Sequence, residues 1–164
     1  FAIADQVVLM RAGLIEQQGP PEEIYRPPAT LFAARFFGLT NLVPATVQGC
    51  DGDDVRLDTP LGPVTVPGAC DARPGDGVTL VIRPEAAQAR PTDAGQRLAV
   101  AGTVAERSFR GSRTRLTLRH ASGQELEFEL DEPDLPGVGQ PITLALRPEG
   151  LSVIPAAPGS PPAK

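Results

Sequence analysis

Apolar and polar residues alternate almost without a break in two stretches, Thr114-Arg115-Leu116-Thr117-Leu118-Arg119 and Glu125-Leu126-Glu127-Phe128-Glu129-Leu130. A period of two sends one set of side chains to a core and the other to water, so each reads as a half-buried β-strand. Val55 to Asp58 and Val64 to Val66 alternate too, and other strand-length runs stand at Leu42 to Val47, Val78 to Arg83, Leu98 to Glu106, Ile142 to Arg147 and Leu151 to Ile154. Pro, Gly, Asp or Ser clusters separate most of them. Many short strands with regular turns predict a mainly β architecture, a sandwich or small barrel. Ala86 to Gln96, with Pro91 and Gly95, reads as a loop, and the Pro-rich stretch 156–164 as a disordered tail.

The pattern differs before residue 40. Val7-Val8-Leu9-Met10 and Leu14-Ile15-Glu16-Gln17-Gln18 flank Arg11-Ala12-Gly13, which predicts a β-hairpin. Gly19-Pro20-Pro21 breaks the second strand. Pro21 to Arg26 reads as a short helix, with Glu22 and Glu23 set against its positive end, and Pro27-Pro28 ends it. Neighbouring helix residues point in different directions, so Glu22 and Glu23 cannot converge on one substrate as an acid/base pair. Thr30 can cap a second helix that runs through Leu31, Phe32, Ala34, Phe36 and Phe37 to a stop at Gly38. Phe1, Tyr25, Phe32, Phe36 and Phe37 concentrate the aromatic residues here; they are expected to pack a small core, with some of them exposed if the rest of a larger domain is missing.

An internal echo organises the strand-rich part. Gly77-Val78-Thr79-Leu80-Val81-Ile82-Arg83-Pro84-Glu85 parallels Gln140-Pro141-Ile142-Thr143-Leu144-Ala145-Leu146-Arg147-Pro148-Glu149. Each copy follows a Gly turn and ends a strand in Arg-Pro-Glu, which predicts two similar half-units, each a small half-barrel.

Composition then removes several function classes. The formal charge of -5 opposes a general grip on nucleic acid, and few aromatics follow Gly38 to stack bases. No apolar run is long enough to span a membrane, and no segment has the texture of a secretory signal. Cys50, Cys70 and His120 stand apart from one another, so no metal-ligand spacing emerges. Two free thiols in a reducing cytosol are the expectation. Lys164 is the sole lysine, and the Arg, Ala, Pro and Gly excess reads as genomic bias.

Gly77-Val78-Thr79-Leu80-Val81-Ile82-Arg83-Pro84-Glu85, together with Gly102-Thr103-Val104-Ala105-Glu106 and Phe109-Arg110-Gly111-Ser112-Arg113-Thr114, resembles the TOBE domain. That is the oligomer-binding-fold barrel appended to ATP-binding subunits of ABC importers. Asp5 to Gly38 resembles the end of the nucleotide-binding domain that precedes it. The resemblance implies residues 1–39 as a remnant of that domain, 40–155 as a TOBE barrel and 156–164 as the tail. It implies a truncated piece of a longer parent, since the chain has no initiator Met.

The family hydrolyses ATP with a P-loop, a signature loop, an acidic base and a switch histidine, none of which stands in this sequence. A non-catalytic fragment without cofactor or metal is therefore expected, with ATP and Mg²⁺ in the full-length parent. The resemblance further implies a homodimer, permease subunits and a solute-binding protein as partners, no nucleic acid, and a cytoplasmic place at the inner face of the membrane. Phe36-Phe37-Gly38-Leu39-Thr40-Asn41 is more similar to polyamine, ferric iron and related small-solute importers than to the sugar group. The Ser-Ala-Arg-Asn stretch of the oxyanion-binding variety is absent.

Two sets of candidate residues follow. Arg83 with Glu85, and Arg147 with Glu149, flank prolines at strand ends and could pair across the domain or with a second copy. The alternative is a solvated turn whose ion pairs contribute about 0–1 kcal/mol. Ser108, Arg110, Ser112 and Arg113 offer hydroxyls and guanidinium donors suited to a carboxylate or oxyanion; the alternative is an ordinary strand connection. The expected function is regulation and dimerisation of an importer ATPase. Sensing of an anion or of the transported solute is the alternative.

Overall fold

The computed structural model describes residues 4–25, 28–68, 72–89 and 98–155. Phe1, Cys70, most of the expected loop after Ala86, and the 156–164 tail lie outside the described residues. The chain divides into two compact units, 1–40 and 41–164.

In the first unit, β1 (Val7–Arg11) and β2 (Leu14–Gly19) form an antiparallel hairpin, followed by α1 (Pro21–Tyr25) and α2 (Leu31–Phe36). Thr30 caps α2 as its sequence predicts, its Oγ1 accepting from the Ala33 amide at 3.2 Å. After α2 the Gly38 amide donates to the Arg35 carbonyl and Leu39 to Ala34, which satisfies the carbonyls a helix end leaves open. Leu9, Ile24, Ala33 and Ala34 are buried. Phe36 packs edge-on to Phe37 with ring centres 5.6 Å apart, yet stays 65% exposed, in line with the expectation from the aromatic cluster.

The second unit holds two five-stranded antiparallel sheets. One has the order β12 (Leu151–Pro155), β6 (Gly77–Ile82), β3 (Leu42–Asp51), β4 (Asp54–Asp58), β5 (Val64–Pro67). The other has the order β7 (Ala87–Gln88), β11 (Pro141–Leu146), β8 (Leu98–Phe109), β9 (Thr114–His120), β10 (Glu125–Leu130). The outermost strands of each sheet come back towards each other, β12 to β5 and β7 to β10, so each sheet is nearly a closed barrel. The mainly β fold of two similar half-units is as expected, but each half closes nearly into a barrel of its own, not half of one.

The halves repeat in detail. β3 and β8 are each bulged, at Val47/Gly49 and at Val104/Glu106. Asp76 and Gln140 fill one role in two turns: their side chains accept from the Arg73 and Gly137 amides at 2.8 and 2.9 Å. Gly75 and Gly139 precede them at φ 94° and 84°, a region costly for any side chain. Val55, Leu57, Val64 and Val66 in one sheet match Leu116, Leu118, Leu126 and Phe128 in the other, and all belong to one continuous core.

The sequence does not show that the halves exchange their last strands. β7 leaves the first half to pair with β11, and β12 leaves the second to pair with β6. The two Arg-Pro-Glu turns are where the chain crosses. There the Arg83 amide donates to the Gly150 carbonyl at 3.0 Å, and the Arg147 amide to the Ala86 carbonyl at 2.9 Å. This reciprocity amounts to an approximate two-fold axis between Ala86 and Gly150. Of the stretch read as a loop, Ala86 ends a 3-10 turn (Pro84–Ala86) and Ala87–Gln88 form the strand β7.

The expectation of two free thiols is overturned. Cys50, at the exposed end of β3, is disulfide-bonded, and its partner lies outside the described residues. Separation along the sequence hid this, because the chain returning from β5 brings the Ala72 carbonyl to 3.7 Å from Cys50 Sγ.

Candidate functional site

Arg83 and Arg147 occupy equivalent places at the crossover but live differently. Arg83 is buried, and its Nη1 lies 3.7 Å from Glu85 Oε1 on the same turn. Arg147 is exposed and donates through Nη2 to the Glu85 backbone carbonyl, so it reaches from the second repeat to the first. Glu149 stands exposed on its own turn. Repeated sequence thus acquires different environments: the buried arginine supports the crossover, while the exposed one bridges it.

The loop read as a ligand cradle is a hairpin tip. Ser108 and Phe109 complete β8, and the Arg110 amide closes the turn on the Arg113 carbonyl at 2.7 Å. Ser108, Arg110 and Ser112 are exposed. Arg113 is engaged by carboxylates of its own fold, its Nε 2.9 Å from Asp131 Oδ1 and its Nη1 3.8 Å from Glu129 Oε2. It ends a ladder on the outer face of β9 and β10 that continues through Arg115 with Glu129 and Arg119 with Glu125. Such exposed pairs contribute little stability. They do place charge along the edge strand β10, which discourages pairing with foreign strands.

The candidate residues that come together are Glu85, Arg113 and Arg147. They line a surface cleft of about 400 Å³ between the crossover turn and the end of β10, joined by Gln88, Asp131 and Glu132. Glu132 Oε1 accepts from the Ala89 amide at 3.0 Å where β7 ends, tying one wall to the other. Arg147 uses one donor on Glu85 and retains others for a guest, since a guanidinium carries five. The cleft therefore mixes fixed cations and carboxylates, an arrangement suited to a small polar molecule rather than an apolar one. Among the described residues, no group of three His, Cys, Asp or Glu could hold a metal ion. No described helix is long and apolar enough to cross a membrane.

Gln88 and Glu132 were not legible as site residues, because each becomes one only through the strand exchange. Asn41 was also missed. It is buried, and its side chain bonds β10 across the sheet boundary, its Nδ2 to the Glu127 carbonyl at 2.6 Å and its Oδ1 from the Glu127 amide at 2.7 Å. A polar residue directly before a strand was the available signal.

Comparison with known proteins agrees with this architecture. Residues 80–154 match the TOBE domain family. The chain is 40% identical over 161 residues to the Fe(3+) ions import ATP-binding protein FbpC of Streptomyces avermitilis, covering 98% of this chain and 43% of that protein. It is 33% identical over 151 residues to the spermidine/putrescine import ATP-binding protein PotA of Aliivibrio fischeri, covering 88% of this chain and 40% of that one. The chain thus spans less than half the length of these curated relatives. The solved structure of the cytoplasmic molybdate-binding protein ModG superposes with a TM-score of 0.62 at 14% identity, over 71% of this chain and 96% of that one, a likeness of fold alone. The chain carries a TOBE domain, within a sequence of the kind found in the ATP-binding subunits of ABC importers.

Proposed function

We propose that this chain is the C-terminal regulatory and assembly region of an importer ATP-binding subunit and has no catalysis of its own. The observation that carries the reading is the interlocked double barrel coinciding with a TOBE match, in a chain whose likeness to an import ATP-binding protein runs almost end to end. In the longer parent, ATP and Mg²⁺ would be held by segments outside this chain, and hydrolysis would drive uptake of a small solute. Permease subunits and a solute-binding protein would be its partners, at the cytoplasmic face of the membrane. The role of this region is association of two copies through a symmetric interface. Light scattering across a concentration series tests it. A dimer that persists on dilution is expected, with phosphate release from MgATP at background, whereas a monomer at every concentration overturns the assembly role.

A second reading has the mixed-charge cleft at Glu85, Arg113, Glu132 and Arg147 behind it: sensing of an anion or of the transported solute. A bound ligand stabilises the folded state by mass action, roughly 2.7 kcal/mol at a hundredfold excess over Kd. Melting in the presence of sulfate, ferric citrate or spermidine should then rise for one of them, and Arg147→Ala should abolish the rise. No rise with any of the three removes this reading.

A further inference from the structure

The two-fold repetition shows which residues the fold demands and which it leaves free. Core and turn positions agree between the halves, as Val47 with Val104, Leu57 with Leu118 and Asp76 with Gln140 do. The hairpin tips do not. The tip joining β3 to β4 carries Asp51, Asp53 and Asp54, whereas its counterpart joining β8 to β9 carries Arg110 and Arg113, with Arg107 just before it on β8. Two tips in equivalent positions on one scaffold have thus acquired opposite charge. The scaffold asks for neither, so the difference is chemistry added to the fold.

We propose that these tips are the two halves of an interface with a second copy of this chain, the basic tip of each copy seated on the acidic tip of the other. The proposal rests on the assembly reading above and names the surface. Arg113 is turned towards Asp131, which leaves Arg107 and Arg110 as the charge offered. Arg107 is held by its Nη1 bond to the Leu135 carbonyl at 2.8 Å, so it presents the rest of its guanidinium in a set position. Between them Phe109 is 74% exposed at the end of β8, an apolar body flanked by arginines. Aromatic and Arg side chains are the types that dominate interface energetics. Asp51 and Asp53 are exposed on the facing tip.

Charge decides the occupant. A chain of net charge -5 repels its own copies, so self-association needs local complementarity, and this chain already holds both signs. A two-fold arrangement makes both contacts at once and closes, whereas a single contact repeated head to tail would propagate into a filament.

Sedimentation velocity of the chain in 50 mM and 500 mM NaCl, with reversed tips, tests the surface. The dimer should weaken at high salt. Arg110→Asp and Asp53→Arg should each raise Kd about tenfold, because an attraction becomes a repulsion. The double variant Arg110→Asp/Asp53→Arg should return to within about threefold of the parent, the signature of a paired contact. Phe109→Ser should weaken association by about fivefold or more. All these positions are exposed, and an unchanged melting temperature confirms that each variant folds. A dimer indifferent to both reversals, or a double variant weaker than either single one, overturns this interface and leaves the assembly reading standing. A chain monomeric at every concentration overturns both, and growth into filaments overturns the closed arrangement.

Discussion

Gly150→Ala is expected to destabilise the barrel pair by about 3 kcal/mol, and Ala86→Gly in the same chain should restore most of it. A methyl at position 150 would sit 2.3 Å from Ala86 Cβ and 3.1 Å from Ala86 Cα. These two residues are equivalents across the approximate two-fold axis, and the axis leaves room for one methyl where the halves touch. Neither backbone can simply withdraw, because the Gly150 carbonyl accepts from Arg83 and the Ala86 carbonyl from Arg147. Ala86→Gly alone should cost roughly 1 kcal/mol, through added freedom in the unfolded chain and a lost methyl. Combined with Gly150→Ala it moves the methyl to the other side of the axis, leaving a 3.1 Å contact that a small shift relieves. Urea denaturation of the four proteins gives the coupling directly. Additive losses in the double variant would mean that the two turns do not share one space, and the two-fold account of the crossover would fail.

How much of this was legible in the sequence depends on whether the cause is local. Alternation in Thr114 to Arg119 and Glu125 to Leu130 located β9 and β10, because burial of one face writes a period of two into a strand wherever it pairs. Thr30, Gly38 and the Arg-Pro-Glu echo were visible for similar reasons, since capping, turn and repeat chemistry act within a few residues. The partner of each strand was not. Ala87 and Gln88 form too short a strand to leave a pattern, and nothing near them tells that they pair with Leu146 and Ala145 of the other half. The site inherits that blindness. Arg113 looked like a free donor until the fold put Asp131 beside it, and Glu132 and Gln88 acquired a role only when β7 crossed to the second sheet. Repeated sequence misled in one respect: Arg83 and Arg147 read alike, yet one is buried and the other exposed.

Asn41→Ala should cost about 3 kcal/mol, and the loss should appear at β10, on the far side of the sheet boundary. The Asn41 side chain imitates a peptide group. It donates to the Glu127 carbonyl and accepts from the Glu127 amide, adding one rung to a strand whose outer edge is otherwise unpaired there by another strand. Its own backbone carbonyl accepts from Ile82 at 3.0 Å, so this one residue clasps the first sheet to the second. Alanine removes both bonds and leaves two backbone groups in a site where Asn41 is 1% exposed. Unpaired buried groups of that kind cost about 1–3 kcal/mol each, less whatever water recovers. Hydrogen exchange at the Glu127 amide reports the same event locally, with protection falling well below that of its β10 neighbours. Unchanged protection there would show that the clasp contributes nothing. Asn41→Asp separates geometry from charge. As a neutral acid the side chain can still donate and accept, but as a carboxylate it opposes the Glu127 carbonyl and loses hydration. Burial therefore raises the folded-state pKa of the introduced acid. Below the unfolded value of about 3.9 both states hold the proton and no penalty arises; as pH rises above it, the unfolded chain ionises first and stability is lost up to the folded pKa. The Asn41→Asp protein should accordingly approach the parent near pH 3.5 and fall behind it towards neutrality. A deficit independent of pH would mean that shape, and not the paired donor and acceptor, is what holds β10 to the first sheet.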